Sequence, residues 1–251
     1  MKTALVSVVI IAGAFGTLVA QSAPESNTPK PGVKEVQVPF ASLKPSAMIK
    51  VGGTADWVLI SDNAVWVAST NPYAVRRIEP VRNRIVAAVR VPGESCSGLA
   101  SGFGSIWVPL CGKKPELVRI DAAKNRITAT LPIPPAGSEG GIAASDDSVW
   151  LVTDKKGTLN RIDPSSNSVR QKISIPPGSY NPLFSNSIVW ITGPESGVLT
   201  AVDAITGKII ESVPVGPKPR FLTAGRGSVW TLNRSTKATE PSPELTRRAG
   251  S

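Results

Sequence analysis

The stretch GSIWVPLCGKKPELVRIDAAKNRITATLPIPP (104–135) carries one full unit of a pattern that recurs along most of the chain. It begins with an apolar run around a tryptophan. A polar loop follows, then a second run ending in Ile-Asp, a turn marked by Asn125, and a third run of β-formers broken by prolines. Self-similarity at a fixed period is the strongest organisational signal a sequence can show. Here an aliphatic residue precedes Trp at Trp66, Trp107, Trp150, Trp190 and Trp230, with steps of 41, 43, 40 and 40 residues. A second signal runs in phase: AVRRIEP (74–80), ELVRIDA (116–122), TLNRIDP (158–164) and VLTAVDA (198–204). Each acid in these, Glu79, Asp121, Asp163 and Asp203, is followed four residues on by Asn83, Asn125, Asn167 or Gly207.

Each unit reads as an inner strand a, a tight turn, strand b with the Trp, a loop, strand c ending in the acid, a second tight turn and an outer strand d. Such a sheet cannot bury both faces alone, but stacked around an axis it does, so the expected fold is an all-β β-propeller of four-stranded blades. Four complete repeats and a partial fifth are present, with 23 prolines placed between runs rather than inside helical patterns. The Trp is expected in the core between sheets, and the acid is expected to accept N–H groups of its own turn.

Outside the repeats, Lys2 and the apolar run Ala4–Ala20 are laid out as a signal peptide over 1–22. A polar linker and N-terminal extension (23–46), the repeats (47–233) and a polar, disordered tail (234–251) complete the expected organisation. Export points to a secreted or periplasmic protein with no stable membrane insertion after cleavage. The segment AMIKVGG (47–53) resembles a strand d standing alone, able to complete a last blade. No strand c follows Trp230, so an open arc truncated from a larger ring is expected, with self-association through its open sheet edge; a compact ring of four or five blades is the alternative.

The net charge of +10 arises with only 18% charged residues, and basic pairs such as Arg76-Arg77, Lys113-Lys114 and Lys155-Lys156 are scattered without an aromatic ladder. This predicts a solvated basic surface and no nucleic acid partner. Cys96 and Cys111 flank the turn at Phe103-Gly104 symmetrically, which in an exported hairpin predicts a cross-strand disulfide. With no histidine in the chain, neither a Ser-His-Asp triad nor an obvious metal ligand set is available, so no metal site is expected.

The GSVW and DSVW strands, the RIDP strands with their turn Asn, and the link PVGPKPR together resemble YVTN-type and virginiamycin B lyase-like propellers over residues 47 to 233. That resemblance implies a propeller, commonly of seven blades. For the lyases it implies a histidine base and a divalent metal, and no position here inherits the histidine.

In such a blade the long d–a and b–c loops share one face, where a ligand site is expected. About ten residues before each Trp lie Asp56, Ser97, Gly140, Asn181 and Arg220, positions that differ while their surroundings repeat. Asp56, Asn181 and Arg220, with the neighbouring Tyr180, are the ligand-binding candidates; no catalytic residue is assigned. The expected function is a noncatalytic exported scaffold or binding module for a protein, peptide or envelope glycan, without a cofactor. The alternative is a virginiamycin B lyase-like or lactonase-like metal-dependent enzyme, inactive through truncation if the missing blades held its catalytic residues; only under it is a divalent metal expected, with Asp56 and Asn181 fitting the lactonase form loosely. A third reading, redox-linked binding of a quinone-type cofactor in the channel, has only the fold behind it.

Overall fold

The computed structural model describes residues 38–61 and 63–234. The expected signal peptide and the tail beyond residue 234 lie outside the described residues. The described residues before Ala47 belong to a unit separate from the rest. Its described part contains one 3-10 turn, Phe40–Ser42, with no buried side chain.

From Thr54 onward the periodic signals become sheets. The first blade is β1 (Thr54–Ser61), β2 (Ala64–Thr70), β3 (Ala74–Glu79) and β4 (Arg84–Arg90), paired in that order. The second begins with β5 (Glu94–Ser95) and β6 (Ala100–Gly102), which both pair with β7 (Ser105–Cys111), and continues through β8 (Glu116–Asp121) and β9 (Arg126–Leu131). The third is β10 (Ile142–Ala144), β11 (Val149–Asp154), β12 (Thr158–Asp163) and β13 (Ser168–Ser174). The fourth is β14 (Pro182–Ser185), β15 (Ile188–Gly193), β16 (Val198–Asp203) and β17 (Ile209–Pro214). A fifth unit consists of the hairpin β18 (Pro219–Gly225) and β19 (Ser228–Asn233). All pairings are antiparallel, and contacts between the first strands of neighbouring blades, β6 with β10, β10 with β14 and β14 with β18, place strand a innermost. The outermost strands β9 and β13 alternate exposed and covered residues, as an outer strand with one solvated face should.

The turns have the chemistry their residues allow. Asn83, Asn125, Asn167 and Gly207 all sit at positive φ, between 51° and 70°, which Asn and Gly tolerate best. The preceding acids hold these turns closed. The Asp121 carboxylate accepts from the N–H of Ala123 (3.0 Å) and Lys124 (2.7 Å), and Asp203 from Ile205 (3.0 Å) and Thr206 (2.6 Å). Glu79 accepts likewise from Val81 and Arg82. In the three aspartates such hydrogen bonds favour the ionised form. The hydroxyl and N–H of Ser165 hold the exposed Asp163 at about 2, and the backbone N–H groups of their own turns lower Asp121 and Asp203.

The repeated tryptophans are core residues where a following blade covers them. Trp66 packs with Ile106, Val108, Leu110, Val118 and Ile120 of the next blade, Trp107 with Val149, Leu151 and Ile162, and Trp150 with Val189, Ile191 and Val202. These three are at most 1% exposed. Trp190 is half-buried and Trp230 is 41% exposed, because the hairpin that follows blade 4 supplies two strands and nothing among the described residues stacks beyond it. At the other end, Val58 and Ile60 of β1 are exposed for the same reason.

A device that the sequence reading missed joins the blades near the tight turns. Arg77, Arg119 and Arg161, each one residue before the Ile of strand c, lie over Trp66, Trp107 and Trp150 at 5.6, 4.9 and 5.2 Å from the ring centres. Each then donates to a carbonyl in the c–d turn of the next blade: Ala122 O (3.0 Å), Pro164 O (2.5 Å) and Ile205 O (2.7 Å). Arg119 also donates to Ser105 Oγ, Phe103 O and Asn167 Oδ1, and Arg161 to Ser148 Oγ and Asp147. A planar guanidinium suits this double duty of stacking and forked donation, which a lysine cannot reproduce. The fourth blade has Ala201 at this position, and the fifth unit offers no c–d turn among the described residues.

Three expectations need correction. The pair Arg76-Arg77 is no solvated surface feature: both are half-buried, with Arg76 donating to Ser69 Oγ and Arg77 serving as above. The segment 47–53 is not a strand. An outer strand needs a strand c to pair with, and among the described residues the fifth unit offers none after β19, while Gly52 and Gly53 turn the chain at φ 70° and 63° into β1. The cystine Cys96–Cys111 forms, with Cα atoms 5.6 Å apart, but it does not join directly opposed strand residues. Ala100 pairs Trp107 as the symmetric hairpin requires, yet Glu94 pairs Cys111. Two extra residues are accommodated between β5 and β6, so Cys96 leaves the ladder and the disulfide spans that bulge.

Candidate functional site

The long loops do gather on one face, and over blades 3 to 5 they enclose a cavity of about 850 Å³, within the range of small-molecule and peptide pockets. Lys155 comes from the b–c loop of blade 3 and Glu195 from that of blade 4. Tyr180 precedes β14, Lys218 precedes β18, Arg220 lies in β18 and Arg234 follows β19. Backbone and proline surfaces make up much of the remaining wall. Among the charged residues lining it, four are basic and one, Glu195, is acidic. No salt bridge joins Lys155, Lys218 or Arg234 to a carboxylate among the described residues.

Arg220 is the best-fixed of these cations. Its side chain is 18% exposed and stacks near Tyr180 and Phe221, 5.3 and 5.6 Å from the ring centres. Its Nη2 donates to the Glu139 carboxylate and, at 3.4 Å, to the Tyr180 hydroxyl, while its Nε is buried with no hydrogen-bond partner. The Tyr180 hydroxyl donates to Ser138 O. Burial raises the Tyr180 pKa above its ordinary value, opposed by the neighbouring guanidinium, so the phenol stays protonated at neutral pH.

Asn181 supports this arrangement from behind. It is 6% exposed and donates through Nδ2 to Arg220 O at 2.6 Å; the Thr192 hydroxyl donates to the same carbonyl at 3.2 Å and accepts from Asn181 N–H. Close by, a Cβ on Gly141 would come within 2.5 Å of Asn181 Oδ1, so only glycine lets the blade 3 loop pass there. Ser97 is buried and donates to Gly137 O, tying blade 2 to the same loop.

Of the four sequence candidates, the structure therefore brings Tyr180, Asn181 and Arg220 together. Tyr180 and Arg220 face the cavity, while Asn181 holds Arg220 in place. Asp56 is separate from them. It is exposed at a β-bulge between Ala55 and Trp57 in blade 1 and does not line the cavity, so it shares no site with Asn181. Glu139, Lys155, Lys218 and Arg234 were not foreseen. The one signal available was the run GSEGG (137–141), an acid set between glycines on the loop face. Among the described residues no three His, Cys, Asp or Glu side chains lie together as a metal site.

No protein-family model matches the sequence, and no curated protein matches it either. Solved structures share its shape. BamB from Moraxella catarrhalis aligns with a TM-score of 0.57 at 12% identity, over 73% of this chain and 55% of that one. Kuenenia stuttgartiensis hydrazine synthase aligns with a TM-score of 0.58 at 11% identity, over 72% and 55%. The dihydro-heme d1 dehydrogenase NirN in complex with DHE gives 0.53 at 18% identity, over 70% and 41%. The chain thus spans about half the length of the structures it resembles. At these identities the likeness defines the fold, and with the sheets above it makes this chain a β-propeller of about five blades.

Proposed function

We propose that this chain is a noncatalytic, exported propeller of the YVTN type, acting as a binding module whose ligand occupies the basic cavity on the loop face. The observation that carries this is the contrast between a scaffold that repeats its chemistry from blade to blade and a loop-lined cavity that does not. Repetition builds the arc, and non-repeated, convergent polar groups in a concave site are what selective recognition needs. Enzymes share the fold, as two of the structures named above do by name, so the fold decides nothing between binding and catalysis. The cystine and the N-terminal apolar run support an oxidising compartment outside the cytosol. Among the described residues no helix is long and apolar enough to cross a membrane. A protein or peptide partner is the favoured ligand class, and an envelope glycan is the competing one.

The test is a cavity-filling variant. Ser196, exposed in the blade 4 loop and lining the cavity, is replaced by tryptophan, and both proteins are titrated against peptides of acidic, neutral and basic composition and against acidic and neutral oligosaccharides. The reading requires at least one probe whose binding falls about tenfold or more in Ser196→Trp with the unfolding midpoint unchanged. If every binding probe ignores the substitution, the ligand site lies elsewhere.

A further inference from the structure

We propose that the cavity receives the carboxylate of an acidic peptide on Arg220, and that Glu139 occupies this anchor in the free protein as an internal substitute for the ligand. The inference rests on the binding-module reading and specifies what the module binds. Arg220 is a pre-set anion anchor: its backbone is held by Asn181 and Thr192, its plane is stacked on Tyr180 and Phe221, and a buried Nε remains to be satisfied. A fork of this kind matches a carboxylate with two parallel hydrogen bonds. The structure shows Nη2 used by Glu139 and Nε left over, so the fork is half engaged.

The present occupant is poorly committed to its place. Glu139 is 59% exposed and stands at φ 58°, a backbone region that glycine and asparagine enter more readily than glutamate. It reaches Arg220 from 81 residues away in sequence, on the glycine-flanked loop Gly137–Gly141. The backbone of this loop is held, with Glu139 N–H donating to Cys96 O and Gly98 N–H to Gly140 O, so it is the exposed Glu139 side chain that must turn off Arg220 to admit a ligand. What the loop presents to Arg220 is a glutamate in a turn of small residues, and a carboxylate among small residues is the chemistry assigned to the ligand. Lys155, Lys218 and Arg234 on the wall, which have no carboxylate partner among the described residues, favour further negative charge along the same peptide and steer it toward the site.

The experiment uses the full chain and two probes, the acetylated and amidated pentapeptide Gly-Ser-Glu-Gly-Gly and its Gln counterpart, with digalacturonate as the carbohydrate arm. Affinities are read by NMR or calorimetric titration for the wild type and for Glu139→Gln, Arg220→Gln, Lys218→Gln and Ser196→Trp. Expected are a preference of the wild type for the Glu peptide over the Gln peptide and tightening of about tenfold in Glu139→Gln, since the competing occupant is gone. Loss of the preference is expected in Arg220→Gln. Should Arg220→Gln fail to fold, weakening of about threefold in the surface variant Lys218→Gln serves instead.

Equal affinity for the two peptides overturns the inference, as does unchanged or weaker binding in Glu139→Gln, or no binding by that variant at about 10 mM peptide. Tighter binding of digalacturonate than of the Glu peptide also overturns it and assigns the anchor to an acidic glycan. Glu-peptide binding that survives Ser196→Trp removes the cavity reading itself. Binding lost in Ser196→Trp but indifferent to Glu139 and Arg220 leaves that reading standing and removes only this one.

Discussion

The tight-turn face and the loop face of this propeller are built from the same strands, yet they differ in kind. On the turn face, an arginine over a tryptophan and a donated hydrogen bond to the next blade are repeated three times with little variation. On the loop face, the corresponding strand starts hold Ser97, Gly140, Asn181 and Arg220, and each makes a different set of contacts. The comparison separates two uses of sequence. Where residues recur in phase, their contribution is to stability and spacing. Where the phase is kept but the chemistry changes, the positions are free to serve a ligand.

The sharpest way to break this division is to compare substitutions on the two faces by equilibrium urea unfolding. Trp107→Ala, removing a fully buried ring from the contact of blades 2 and 3, should cost about 3–5 kcal/mol. Replacing both Cys96 and Cys111 by serine should cost about 3 kcal/mol, the value for releasing a closed loop of this size. Arg119→Ala should cost about 2 kcal/mol, and Arg119→Lys should recover less than half of it, because the stacked fork is lost. Lys155→Ala, on the loop face, should change stability by no more than about 0.5 kcal/mol. If Lys155→Ala cost as much as Arg119→Ala, the two faces would not differ as described.

The smallest effect sharpens the comparison through pH. Asp121, Asp163 and Asp203, all on the turn face, have lowered pKa values in the folded protein, with Asp163 at about 2. An unfolded aspartate titrates near 3.9, so the unfolded chain takes up protons first as pH falls. The stability these groups contribute is therefore complete above about pH 4 and is lost as pH drops toward about 2. Asp163→Asn should flatten this acid limb of an unfolding-midpoint profile by lowering its neutral region slightly toward the acid value, because the ionised carboxylate is then missing at every pH; a limb as steep as the wild type's would count against the turn carboxylates as its source.

Much of this was legible in the sequence for a physical reason. Tryptophan, acid and turn asparagine act within one blade, so their spacing alone reveals them. Arg77, Arg119 and Arg161 stood in the same phase, inside the very motifs that revealed the strands, but their partners lie one blade further on. An in-phase arginine carries no mark of what it will reach. Tyr180, Asn181 and Arg220 could be grouped by counting back from each tryptophan, whereas Asp56 satisfies the same count at a blade whose loops do not join the cavity. Glu139 and Lys218 escaped because they sit at positive φ in loops of unequal length, where no period applies. The cysteine pair shows the same limit from the other side: symmetry about a turn predicted the bond and missed the bulge.

The arginine contacts also set a timetable. Each donor and its acceptor are 44 or 45 residues apart, and the acceptor is always the later of the two. A chain emerging from the ribosome at about 5–20 residues per second presents the arginine some 2–9 seconds before the carbonyl that will receive it. Blades 1, 2 and 3 therefore cannot complete this contact from their own residues, and each must wait for its successor to be made, whereas blade 4, with Ala201, waits for no such partner.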